Sequence, residues 1–190
     1  MIKLEASLPW EGKVRLTFDA IVSSDFTIHF RLPSWAKAAS IRINGGLFSI
    51  DSSIKADRLP MLAAASGFDP RQARFLPVQR SWSSGDTVDL EFEMPIVLRR
   101  ASLRLRGHKD KVVLTHGPLV YCLESNDNPG IDIFKARIDP TSIYAESAPA
   151  LLGGVWILRG RTTDERDFTA IPYHLWANRG ESQMTVWLST

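Results

Sequence analysis

Two stretches of this chain gather the residue types that carry chemistry. Gly117-Pro118-Leu119-Val120-Tyr121-Cys122-Leu123-Glu124 is followed closely by Asp127 and Asn128, so a thiol and two carboxylates fall close together. Ala170-Ile171-Pro172-Tyr173-His174-Leu175-Trp176-Ala177-Asn178-Arg179-Gly180 adds aromatic, imidazole, amide and guanidinium groups near the end. Such groups suggest three kinds of chemistry. Two carboxylates roughly 5–10 Å apart cleave glycosidic bonds. Three or four Cys, His or carboxylate ligands hold zinc. Exposed aromatic faces stack on sugar rings.

A zinc or thiol centre finds little support. Cys122 is the only cysteine, and His29, His108, His116 and His174 are not paired at ligand spacing. Cys122 lies inside an apolar strand pattern, where a free cysteine behaves as a small hydrophobe. His29 alternates with core positions and is expected to face solvent. Glu124 and Asp127 flank the end of that strand, beside Asn126 and Asn128. Acidic and amide residues after a strand usually form turns and bond the local backbone. The Asp-Asn-Pro-Gly run lacks the regular acid spacing of a calcium loop.

Six Trp and three Tyr leave room for carbohydrate binding. The candidates are Trp176, Trp35, Tyr173 and Asn178. Trp35 follows a strand end in Pro33-Ser34-Trp35, and Trp176 sits between Tyr173-His174 and Asn178-Arg179. Trp82 precedes a turn, and Trp10 and Trp187 lie near the termini in strand patterns, which suits them less. Aromatic residues of β-sandwiches also serve as core or inter-domain filler. No phosphate loop, nucleophile-elbow serine or His-Glu-x-x-His helix occurs.

The elements that must position these residues are strands. Val14, Leu16 and Phe18 alternate with Arg15 and Thr17; Phe26, Ile28, Phe30 and Leu32 alternate with Thr27, His29 and Arg31. Ile41 and Ile43 precede Asn44-Gly45-Gly46, a hairpin signal because Asn and Gly accept positive φ. Val88, Leu90, Phe92 and Met94 repeat the alternation after Ser83-Ser84-Gly85-Asp86. Short amphipathic strands between polar turns predict an all-β fold of antiparallel sandwiches. The segment 47–75 reads as a long loop with a short helix, interrupted by Pro60. Beyond Arg100, 112–114, 119–123 and 155–158 are nearly continuous apolar runs, as in strands buried on both faces. The polar stretch 125–150 reads as an extended surface segment. Two consecutive β-sandwich domains, 1–98 and 99–190, are the preferred division; one sandwich of about 12 strands is the alternative.

Composition narrows the partners. Hydrophobic residues make up 44% and charged residues 23%, with a net charge of +2. Basic residues are scattered, which argues against a nucleic-acid partner. No apolar run approaches the roughly 18 residues of a membrane span, and the N-terminus lacks a signal-peptide pattern. A soluble protein is expected, cytoplasmic by default.

The chain resembles the C-terminal part of glycoside hydrolase family 127, best known for β-L-arabinofuranosidase activity. Pro9-Trp10-Glu11-Gly12-Lys13-Val14 looks like the start of the family's middle β-domain, Phe30-Arg31-Leu32-Pro33-Ser34-Trp35-Ala36 resembles its next strand, and Ile43-Asn44-Gly45 the hairpin after it. Arg80, Trp82, Gly85-Asp86 and Met94-Pro95 fit its end. The runs 117–124 and 170–179, with Leu152-Gly153-Gly154-Val155, resemble the last domain. Each run alone is weak, and together in order they are specific. The segment 47–75 is longer than the family's usual connection.

The resemblance implies an N-terminal (α/α)6 barrel followed by two β-sandwich domains, with the catalytic cysteine, zinc ligands and acid/base glutamate all in the barrel. No position here matches those motifs, so no catalytic or metal residue and no cofactor is expected. The implied role is a non-catalytic β portion that scaffolds a barrel or mediates assembly, from a truncated or split gene product. Its partners would be a second copy of the chain or a separate catalytic barrel chain. A carbohydrate-binding module for arabinose-containing glycans is the alternative.

Overall fold

The computed structural model describes residues 1–22, 24–36, 38–48, 74–102 and 104–190. Most of the expected 47–75 insertion therefore lies outside the described residues. The chain divides into two compact units, Met1–Met94 and Pro95–Thr190. All its named strand pairs are antiparallel. Among the described residues no helix is long and apolar enough to cross a membrane.

The first unit holds β1 (Ile2–Ala6), β2 (Lys13–Phe18), β3 (Ser24–Leu32), β4 (Ala39–Ile43), β5 (Gly46–Leu47), β6 (Arg74–Trp82) and β7 (Thr87–Phe92). One sheet runs β1-β2-β7-β4-β5, and β3 pairs with β6 in a second. Period-two alternation turns the apolar sides of both sheets inward, so Phe18, Ile41, Val88, Leu90 and Phe92 meet Phe30, Leu76, Val78 and Trp82 in one core. The Trp82 ring stacks on Phe18 at 4.7 Å. Its indole N–H donates to the Phe26 carbonyl at 3.0 Å, which satisfies the buried polar atom. Arg80 covers the ring 5.1 Å from its centroid.

The hairpin after β4 uses Asn44 and Gly45 at φ 51° and 80°. Asn44 also ties that hairpin to the turn before β7. Its amide donates to Asp86 at 2.8 Å, and its carbonyl accepts from the Thr87 N–H at 2.8 Å. The Asn44 donor, the Ser83 N–H and the Arg80 charge hold the Asp86 carboxyl below its ordinary range. Strand β1 is an edge strand, and its Ile2 and Leu4 are exposed although they sit opposite Phe18 and Leu16. Among the described residues the two-stranded layer is narrower than the five-stranded one.

The second unit holds β8 (Ile96–Arg100), β9 (Lys111–His116), β10 (Leu119–Glu124), β11 (Tyr144–Ala148), β12 (Val155–Arg161), β13 (Asp167–Pro172), β14 (Met184–Thr185) and β15 (Leu188–Ser189). The division falls at Met94–Pro95, a few residues before the expected 98/99, because β8 pairs along its whole length with β9. The sheet order is β11-β12-β13-β10-β9-β15, with β14 also on β10 and β8 on β9. Strand β10 changes partner midway. Leu119 and Val120 pair with β9, whereas Tyr121, Cys122 and Leu123 pair with β13. This switch folds one sheet around a core of Leu114, Tyr121, Leu123, Leu158, Phe168 and Leu188. Gly160 lies opposite Phe168, whose ring fills the space a Cβ would need, 2.8 Å away.

The 125–150 stretch departs from the surface segment expected of it. Ile131, Ile133, Ala136 and Ile138 enter the core, and Tyr144–Ala148 pairs as an edge strand. Its polar residues bond turns rather than water alone. Asp139 accepts from the Thr141 N–H at 2.9 Å, and Asp132 from the Phe134 N–H at 3.1 Å.

Trp82→Ala removes the largest buried ring of the first unit and leaves a cavity beneath Phe18. The expected cost is ~3–5 kcal/mol, read as a lowered urea midpoint. A shift near zero would show that the two layers do not depend on this contact.

Candidate functional site

The two chemistry-rich stretches meet in the second unit. The register Tyr121↔Pro172, Cys122↔Ile171 and Leu123↔Ala170 aligns β10 with the end of β13. The chain then makes a 3-10 turn at Tyr173–Leu175 and passes through Ala177 at φ 60°. That conformation lets the Ala177 N–H donate to Glu124 Oε1 at 2.7 Å. Two residues on, Arg179 reaches the same carboxylate with Nη2 at 2.5 Å. It also grips Asp127 with both terminal nitrogens, at 2.6 and 2.5 Å.

Glu124 is only 1% exposed, so these partners replace the water its side chain has lost. The paired carboxylates raise the already high Arg179 pKa, Asp127 contributing most. Arg179 Nε is buried without a partner among the described residues. Asn128 completes the joint: its amide donates to the carbonyls of Glu124 and Thr169 at 2.7 and 2.9 Å, and its oxygen accepts from the Thr169 N–H at 2.8 Å.

This arrangement corrects the expectation for Glu124 and Asp127. They are not confined to local turn bonding; both side chains bind Arg179, more than fifty positions away. Nor do they flank an open cleft. Both reach the same guanidinium nitrogen, so the space a glycosidic oxygen would need is filled. The cluster acts as a clamp that fastens the 173–180 loop to the end of β10.

Cys122 is fully buried beside the clamp. Burial, with the negative charges of Glu124 and Asp127, pushes its thiol up to about 12 against the opposing pull of Arg179. A thiol in that state is a poor nucleophile and a poor ligand. Tyr121 is also buried, and its hydroxyl donates to the Trp156 carbonyl at 3.0 Å. Among the described residues no three His, Cys, Asp or Glu side chains converge as metal ligands would.

Three of the four candidate sugar-binding residues share the clamped loop. Tyr173 and Trp176 are 44% and 40% exposed, and Asn178 beside them spends an amide N–H on the Leu175 carbonyl at 3.0 Å. Trp35 belongs to the first unit, where it is half-buried, its ring centroid 5.7 Å from that of Phe92 in an edge-to-face pair. Trp82 is core, and Trp187 packs 4.6 Å from His108. The clamp was missed in the sequence because no spacing rule links residues 124 and 179. The only trace was that acids crowd one run while an arginine ends the other.

Residues 1–94 match the family description "Beta-L-arabinofuranosidase, GH127 middle domain", and residues 96–189 match "Glycoside hydrolase family 127 C-terminal domain". A non-reducing end β-L-arabinofuranosidase of Bifidobacterium longum subsp. longum is 26% identical over 97% of this chain and 30% of its own length. The crystal structure of a GH127 β-L-arabinofuranosidase from Geobacillus stearothermophilus T6 is similar at a TM-score of 0.80 and 32% identity, over 99% of this chain and 30% of that one. A structure described as a glycoside hydrolase is similar at 0.80 and 28% identity, over 99% and 32%. The chain thus spans less than a third of the length of these relatives.

Arg179→Met strands a buried carboxylate and is expected to cost ~3–5 kcal/mol in urea unfolding. Adding Glu124→Gln should recover part of that loss, because the orphaned charge is gone; equal, additive losses would refute the clamp. The Cys122 thiol should resist alkylation at mildly alkaline pH until the chain unfolds. Its folded pKa lies above its ordinary 9.0, so its contribution to stability is complete below that pH and is lost as pH rises toward about 12. Urea midpoints measured across that range test the sign.

Proposed function

The chain belongs to glycoside hydrolase family 127, and from that membership we propose that it is the non-catalytic β portion of a β-L-arabinofuranosidase-type hydrolase, scaffolding a helical barrel. One observation carries this reading: the Arg179 clamp is buried, yet the loop it fastens presents Tyr173 and Trp176 outward. Rigid aromatic side chains that stay half-exposed on a fixed loop are the kind of anchor a protein partner fills. The loop that carries them is fastened by the Arg179 ion pairs, so less ordering entropy is left to lose when a partner docks.

Chemistry within the chain agrees with a supporting role. Glu124 and Asp127 are consumed by Arg179, and the Cys122 thiol is buried and protonated. In the resemblance described above, bond cleavage belongs to the barrel. The β portion then contributes shape, rigidity and a docking face.

Co-expression with the barrel segment of a family 127 relative tests this proposal. The two should co-purify, and hydrolysis of an aryl arabinofuranoside should appear only in the complex. Tyr173→Ser combined with Trp176→Ser should weaken association by about a hundredfold or more, with an unchanged melting curve. Failure to associate, or turnover by the β chain alone, overturns it. Self-association that excludes the barrel would point instead to assembly of copies of this chain.

A further inference from the structure

Away from the clamp, the outward face of β11, β12 and β13 forms a groove of ≈ 610 Å³ lined by Tyr144, Glu146, Arg159, Arg161 and Asp167 among others. The register explains why these side chains share a face. Tyr144 lies directly opposite Arg159, Arg159 opposite Thr169, and Arg161 opposite Asp167. Leu158 and Phe168, on the other side of the pleat, fill the core. We propose that this face is a binding site for a neutral glycan, with Tyr144 as the stacking platform and the Arg159–Glu146 pair as the hydroxyl-reading fork.

Three features support that occupant. Tyr144 is 53% exposed on an edge strand, which leaves its ring free to meet the C–H face of a sugar. Arg159 is held from two sides, donating to Glu146 at 2.6 Å and to Thr169 Oγ1 at 3.1 Å. Two of the five guanidinium N–H groups are used in this way, so the others remain available in a fixed plane. A vicinal diol both donates and accepts, and a guanidinium beside a carboxylate offers the complementary pair. Thirdly, the charges lining the groove balance. Arg159 and Arg161 face Glu146 and Asp167, and Arg161 also pairs with Glu165 at 2.7 Å. No surplus of positive charge remains to favour an acidic ligand. The volume is that of a small-molecule site.

The groove shares no residue with the Tyr173–Trp176 loop, so this inference and the barrel-docking proposal fail separately. Titration of the chain with arabinan, xylan and glucan oligosaccharides, followed by calorimetry and backbone NMR shifts, tests it. Oligogalacturonate is the acidic comparator. We expect saturable binding of at least one neutral oligosaccharide, with shifts centred on 142–146 and 159–169. Tyr144→Ala and Arg159→Lys should each weaken binding by about tenfold without moving the melting curve. Arg159→Lys keeps the charge and loses only the fork, so it holds if the tyrosine variant folds poorly. Absence of binding across the neutral panel overturns the site. So does binding unaffected by both substitutions, or a preference for oligogalacturonate.

Discussion

A single guanidinium shared between two carboxylates governs the C-terminal half of the second unit. Glu124 ends a strand in the interior, where an unpaired charge is costly, and Arg179 is the cation placed to neutralise it. That requirement determines the course of the chain after β13. It must turn at Tyr173–Leu175, pass through a left-handed residue at Ala177 and bring position 179 back beside β10. The outward placement of Tyr173 and Trp176 is a consequence. Because both carboxylates are bound to Arg179, the same interaction removes them from bond-cleaving chemistry.

The second constraint is the division of labour along β10. Its first residues pair with β9 and its later ones with β13 and β14, which bends the sheet and encloses Tyr121 and Leu123. Its other face buries Cys122 and Glu124. From Tyr121 to Glu124 both faces are buried, and there the strand has little tolerance for change, since each side chain meets packed atoms. The first unit meets the same need differently, with separate layers closing on Phe18 and Trp82.

Much of this was legible in the sequence, for identifiable reasons. Val14–Phe18, Phe26–Leu32 and Val88–Phe92 alternate strictly, and each lies in a strand whose apolar side faces the core. Asn44-Gly45 turned where positive φ is cheapest. The apolar run at 119–123 became a strand, covered on both faces from Tyr121 onward, while Val120 stays exposed. Legibility failed where polar residues masked apolar ones. In 125–150, Asp, Asn and Ser occupy the turns, while Ile131, Ile133 and Ile138, spaced irregularly between them, supply the core. The β1 edge strand alternates Ile2, Leu4 and Ala6 with Lys3 and Glu5, yet over these five residues the alternation marks no buried face, and Ile2 and Leu4 stay exposed.

By itself the sequence determined the all-β class and the antiparallel strand pattern, because period-two burial and turn chemistry are local and leave a local record; the kinship with a glycoside hydrolase family came from the resemblance of whole runs in the family's order. It also showed a lone cysteine. Only the tertiary structure decided that Glu124, Asp127 and Arg179 meet, that Trp82 is core while Trp176 is surface, and that Tyr144 shares a face with Arg159. Those outcomes depend on which distant strands pair and in what register, and no short-range periodicity encodes a contact across fifty residues of chain.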